Sequence, residues 1–266
     1  MKSLWAKTGN SRVVLLTLLV LLCIWEAGVR IGHVREFMLP APSKIIVEFF
    51  QAPGYLLTQS LSTLETTVVG FALAVFLGVL IAIGIVSSRF LDRTLYSLLV
   101  ALNAVPKVAL APLFIIWLGT DAAPKIAVAM LIAIFPILID TVLGLKSTDP
   151  EMLDMARVNQ ASGAKILWKI RFPNALPSIF AGMKVGVSFA LVGTIVGEFV
   201  VGGSGLGHVI LVAQSSFDTP TVFVALALLC VLGVLLFKLI EVFEKKLLGW
   251  HASQRGPAPG VAMVGP

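Results

Sequence analysis

Apolar runs recur along the whole chain: Val13–Ile24, Val68–Val86, Ile126–Ile139, Val185–Val201 and Val222–Ile240. A helix needs roughly 20 predominantly apolar residues to cross about 30 Å of hydrocarbon, and the repeated runs are read against that scale. A chain of 266 residues could bury one large core, but water would not tolerate the surplus left over. Composition sharpens the point: 58% of residues are apolar and 13% charged, against about 45–50% and about 25% in a soluble domain. Strand-like alternation over about ten residues is absent, which excludes a transmembrane barrel. The expected class is all-α and polytopic.

Six spans fit the pattern, at about 12–31, 62–86, 94–118, 125–145, 179–201 and 221–245. Lys2, Lys7 and Arg12 before the first run resemble a signal peptide, but no small-x-small cleavage site follows, so an uncleaved first span is expected. Pro40 and Pro42 then interrupt any helix, and Ser43 is the expected N-cap of a short amphipathic helix over 44–51. The third span is broken at Asn103-Ala104-Val105-Pro106-Lys107 and again at Pro112. One long polar stretch separates the fourth and fifth spans, residues 146–178. A transmembrane domain over 1–250 and a Gly/Pro-rich, disordered tail over 251–266 complete the expected organisation.

Charge sets orientation. With the N-terminus in the cytoplasm, Arg89, Arg93, Lys146, Arg157, Lys165, Lys169, Arg171, Lys245 and Lys246 all fall inside, while Arg30, Arg35, Lys44 and Lys125 fall outside. That asymmetry predicts cytoplasmic termini and a cytoplasmic 146–178 loop. The net charge of +6 is spread between apolar runs rather than clustered, so topology explains it and nucleic acid does not. Cys23 and Cys230 lie inside apolar runs, which leaves no disulfide framework, no cysteine-based metal site and no metal assignment.

The 146–178 loop carries the most information. It predicts a helix, a small-residue turn at Ala161-Ser162-Gly163, and a second amphipathic helix with Ile166, Leu167 and Ile170 on one face. That second helix is expected to stop near Pro173, with Pro177 opening the next span. The stretch resembles the cytoplasmic signature of permeases from binding-protein-dependent ABC importers of the type I fold. That signature runs Glu-Ala-Ala, three residues, Gly, nine residues, Ile-x-Leu-Pro. Asp154-Met155-Ala156 stands for the first triplet and Ile170-Arg171-Phe172-Pro173 for the last quartet. Gln160 departs from the pattern by occupying the position of the Gly. Further similarity, to the branch handling nitrate, sulfonates, taurine and bicarbonate and to relatives handling pyrimidine precursors, riboflavin and aromatic acids, lies in three stretches. They are Leu39-Pro40-Ala41-Pro42-Ser43, Val105–Pro112 with Trp117-Leu118-Gly119, and Gly197-Glu198-Phe199 with Gly205-Leu206-Gly207.

The resemblance implies a permease subunit of a cell inner membrane, two copies of which form the pore. Two ATPase subunits would dock on the cytoplasmic loops, and a periplasmic or lipid-anchored binding protein would deliver a small solute. Coupling to the ATPase would run through Asp154, Ala156, Arg157, Gln160, Ala161, Ser162 and Gly163. The sequence holds no Gly-x-x-x-x-Gly-Lys-Ser/Thr loop, so this chain is expected to carry no cofactor, with ATP and Mg on the partner subunits. Asn103, Pro106 and Lys107, at the break in the third span, are candidates for the translocation path or else boundary residues. Glu198 serves either gating or structural hydrogen bonding. Gly182, Gly186, Ala190, Gly193 and Gly197 recur at helical spacing and suit packing within the chain or a dimer seam equally. Lys184 and Lys238 are expected to snorkel to an interface. Gly203, Gly205 and Gly207 are expected to form a backbone bend rather than a dinucleotide turn. A secondary transporter would need inverted repeats that the sequence does not show. An intramembrane enzyme would need a motif such as His-Glu-x-x-His, which is missing.

Overall fold

The computed structural model describes residues 2–88, 90, 91, 101 and 105–248, and each regular element among them is a helix. In chain order these are α1 (Lys2–Ile31), α2 (Pro42–Gln51), α3 (Pro53–Ser87), a 3-10 turn (Lys107–Leu110), α4 (Ala111–Leu118), α5 (Ala122–Lys146), α6 (Pro150–Val158), α7 (Gly163–Val201), α8 (Leu206–Ser215) and α9 (Thr219–Leu247). Of the described helices, α3, α5, α7 and α9 are long and apolar enough to cross a membrane. The other two expected spans are α1, whose Leu16, Leu18, Leu19, Val20, Leu21 and Ile24 stand exposed, and the 94–118 region. Most of that region before Val105 lies outside the described residues, and its remainder is the 3-10 turn and α4.

The chain forms two compact units. The first comprises Met1–Ser62 and Gly203–Cys230. Its anchor is Glu26, whose carboxylate accepts hydrogen bonds from the Ser43 amide at 3.0 Å, the Ser43 hydroxyl at 2.8 Å and Arg30 Nε at 2.6 Å. This corrects the expected cap of α2: the N-cap is Ala41, with Pro42 starting the helix, and Ser43 instead fastens α2 to α1. Proline fits a first helical turn because its missing N–H would be unpaired there anyway. Asp218 caps α9 by accepting from the Thr221 amide, and Trp25 packs on Phe223 with ring centroids 5.7 Å apart. The glycine bend appears as drawn from the sequence. Gly203 and Gly205 have φ of +79° and +101°, a region that favours glycine, and Gln59 accepts the Gly205 amide at 2.6 Å.

The second unit comprises Thr63–Gly202 and Val231–Pro266, and α5 is its spine. Glycines let α7 and α3 approach α5 backbone to backbone. A Cβ on Gly193 would sit 2.7 Å from Ala129 Cα, one on Gly197 2.8 Å from Lys125 Cα, and one on Gly182 3.1 Å from the Pro136 carbonyl oxygen. On the opposite side a Cβ on Gly70 of α3 would lie 2.6 Å from Ala129 Cβ. The small-residue row therefore packs within the chain. In lipid, where apolar surface gains nothing by leaving the solvent, such close contact is what holds helices together. Phe71, Ala74, Ala133, Ile137, Phe180, Val187 and Ala190 fill the layer between the three helices.

The structure corrects the expected stop at Pro173. Helix continues from Gly163 to Val201 through both Pro173 and Pro177. A π turn over Leu167–Arg171 precedes Pro173, with the Phe172 amide donating to the Leu167 carbonyl. The wider turn shifts the hydrogen-bond register just where proline lacks a donor, so the chain bends without ending the helix.

Candidate functional site

The 150–163 segment is built to stand out from the second unit. Asp149 opens α6 by accepting the Glu151 amide at 2.9 Å, and Pro150 takes the first position. Met152, Met155 and Val158, at intervals of three, are 51%, 68% and 83% exposed. They make an apolar stripe with no cover from the described chain, and methionine's flexibility suits such a surface to a partner's groove. Arg157 bonds Asp154 at 2.9 Å, but both side chains are about two-thirds exposed, so the pair is worth at most about 1 kcal/mol. Either charge is cheaply redirected to a partner.

The tip explains the departure at Gln160. Its φ is +54°, one of three non-glycine residues in the described chain with positive φ. The Ala161 amide donates to the Ala156 carbonyl at 3.0 Å and the Gln160 amide to Arg157 at 2.9 Å. These two bonds form a Schellman cap, whose left-handed position glycine favours. The gap-free register, which places Gln160 where the signature has Gly, thus coincides with the backbone that wants Gly. Ser162 then opens α7 by accepting the Lys165 amide at 3.4 Å. Asp154, Ala156, Arg157, Gln160, Ala161, Ser162 and Gly163 are in this way gathered on one helix-and-turn. Replacing Gln160 with Gly is expected to relieve roughly 0.5–1 kcal/mol of local strain. Protease-cleavage rates at the tip should fall slightly and thermal stability should not drop; a destabilised Q160G protein would mean the left-handed tip is absent in solution.

The broken third span supplies a second group. Asn103 lies outside the described residues. Pro106 is extended, with φ −69° and ψ 93°, and Lys107 begins the 3-10 turn that leads into α4. The Lys107 ammonium stands 4.3 Å from the centre of the Phe135 ring on α5, a cation–π distance. Glu198 on α7 is fully buried and accepts from the Thr63 hydroxyl of α3 at 2.8 Å. Lys125 of α5, 4% exposed, is its electrostatic partner. One turn along α3, the Thr67 and Thr194 hydroxyls lie 3.0 Å apart, and Thr67 also donates to the Thr63 carbonyl. Three helices are thus tied by one buried polar ladder.

Sequence reasoning missed that ladder. Its signal was Thr63, Thr66 and Thr67, all buried, in the polar stretch of α3 just before the apolar run from Val68. It also placed Lys125 outside as an ordinary flanking charge. Lys184 pairs with Glu244 of α9, both side chains being less than a quarter exposed.

The profile of a family described as binding-protein-dependent transport system inner membrane component matches residues 74–249. The chain is 39% identical over 239 residues to the riboflavin transport system permease protein RibX of Chloroflexus aurantiacus, covering 89% of each protein. It is 33% identical over 238 residues to the formylaminopyrimidine transport permease protein ThiX of Halalkalibacterium halodurans, covering 89% of this chain and 94% of that one. Similarity to the putative aliphatic sulfonates transport permease protein SsuC of Bacillus subtilis is 32% over 239 residues, or 89% and 87% of the two chains. Among solved structures, an inward-facing form of the MetNI methionine ABC transporter superposes with a TM-score of 0.66 at 17% identity. That match covers 74% of this chain and 98% of the other.

Proposed function

Since the chain belongs to the family of binding-protein-dependent transport system inner membrane components, the permeases of type I ABC importers, we propose that its α6 and following turn dock on an ATPase carried by separate polypeptides. The observation that carries this reading is the exposed Met152, Met155 and Val158 stripe on a helix capped at both ends. A covered surface loop would not need such a face, and a free one would not keep it. ATP and Mg would bind the partner subunits, two copies of this chain would frame the path, and a binding protein would deliver solute from the other side.

The Lys/Arg asymmetry supports cytoplasmic termini and a cytoplasmic docking turn. A Ser162→Cys protein should resist a membrane-impermeant thiol reagent in intact cells and react after permeabilisation. Labelling from outside would invert the topology.

For the path itself, Lys107 supports a small solute with an anionic or electron-rich group, the class that includes the heterocycles and sulfonates named for the relatives. Its ammonium is half-buried against Phe135, beside backbone freed from regular helix at Pro106. Lys107→Met in reconstituted transporter is expected to lower uptake at least tenfold while ATPase assembly is retained. Uptake equal to the unaltered protein would make Lys107 a boundary residue. Glu198, sealed beneath Thr63, would act by holding α3, α5 and α7 in register around that path.

A further inference from the structure

A cavity of about 520 Å³ lies in the second unit between the end of α3 and the helix-and-turn of α6. Val86 and Ser87 form one wall, Leu153 and Arg157 another, and Ile166 and Arg171 of α7 a third. Two of its three walls thus include an arginine, and no carboxylate is among the described residues that line it. Asp154, which pairs with Arg157 at 2.9 Å, is not one of the lining residues. The Arg171 Nε is buried and has no hydrogen-bond partner among the described residues. A guanidinium N–H taken from water without an acceptor is rare in native proteins.

We propose that this cavity is a binding site for a phosphate-class oxyanion, borne by an anionic phospholipid headgroup or by free phosphate. Arginine's planar fork matches the tetrahedral oxygens of phosphate, and two arginines in one lining would balance its charge. The volume falls within the roughly 300–1,000 Å³ of small-molecule sites, ample for a headgroup. Trp168, 56% exposed and packed at a tilt on Phe172 with ring centroids 5.2 Å apart, sits one turn from Arg171 on the same helix. Exposed tryptophan at a helix entry is a common interfacial anchor, which places the cavity at headgroup depth. Because its walls come from α3, α6 and α7 together, an anion here would brace the base of α6 against two spans. The proposal is independent of which solute is carried, and it shares Arg157 with the docking turn.

The test uses the full-length chain, purified and delipidated in a neutral maltoside detergent. Binding is titrated by calorimetry with dihexanoyl-phosphatidylglycerol, inorganic phosphate, and phosphate-free dihexanoylglycerol. One saturable site per chain is expected for at least one of the first two and none for the third. Saturation by inorganic phosphate identifies a free-anion site; saturation by the lipid alone identifies a headgroup site. Arg171→Met should weaken binding at least tenfold, and the exposed Lys169→Met, outside the cavity, should stay within twofold of the unaltered protein. Should Arg171→Met fail to fold, Arg157→Met serves in its place, with a loss of about threefold or more expected. Absence of saturable binding to both phosphate probes, equal binding of dihexanoylglycerol, or unchanged affinity in the folded arginine variants would overturn the proposal.

Discussion

Gly193→Leu is expected to abolish accumulation of folded protein. The first atom of the new side chain would fall 2.7 Å from the Ala129 Cα and 3.0 Å from the Val128 carbonyl oxygen, so no rotamer escapes the clash. The obstacle is backbone, and Ala129 has little room to retreat because its Cβ already packs against the Gly70 backbone, close enough that a Cβ added there would lie 2.6 Å away. Overpacking a core typically costs 1–3 kcal/mol when side chains can adjust. Here whole helices must separate, so a loss of about 3 kcal/mol or more is expected, with the polar ladder between Thr63, Thr67, Thr194 and Glu198 pulled apart as well. Yield of monodisperse protein and its thermal midpoint are the measurements. Gly84→Leu is the control, since a Cβ there meets nothing within 4 Å. A Gly193→Leu chain that is folded but fails to pair with a second copy would move the seam from inside the chain to the dimer.

The contrast between what was legible and what was not follows from the range of each interaction. Hydropathy is local, so runs such as Val68–Val86 and Val222–Ile240 announce α3 and α9 without help from the rest of the chain. Proline rules are also local, and they failed at Pro173 because the π turn before it compensates in a way only the three-dimensional register reveals. Ser43 looked like a cap for the same reason: its residue type suits one, but Glu26, from a different helix, offers a charged acceptor and takes both its donors. The Glu198 ladder and the Lys184–Glu244 pair join residues far apart in sequence, and nothing in their neighbours' identities specifies the partner. The helix and turn over 154–163 were recoverable because a fixed spacing carried them. The Met152, Met155 and Val158 stripe was not, because apolar residues at intervals of three read as a buried face until exposure is known.

Release of the ATPase is the expected result of altering the tip, and three substitutions separate the partner's contribution from the chain's own. Asp154→Lys removes a pair whose members are about two-thirds exposed, so the permease itself should lose no more than about 1 kcal/mol. Against a partner, reversing a partly desolvated charge costs about 2–5 kcal/mol, or roughly thirtyfold or more in affinity. Ala161→Trp adds bulk at the cap, where the Ala161 amide already holds the Ala156 carbonyl; some loss within the chain would accompany it. Gly163→Trp removes that ambiguity. A Cβ on Gly163 meets no atom within 4 Å, so the side chain starts into open space in the free permease and its bulk is expected to clash with a partner seated against the turn. All three variants should insert in the membrane, and Asp154→Lys and Gly163→Trp should keep the thermal midpoint of the unaltered protein. Co-purification of the ATPase should fall sharply, and stimulation of its hydrolysis by the binding protein in nanodiscs should be lost. Normal assembly and normal stimulation in Asp154→Lys and Gly163→Trp together would show that α6 and its turn face lipid or water instead, and the exposed methionine stripe would then need another partner.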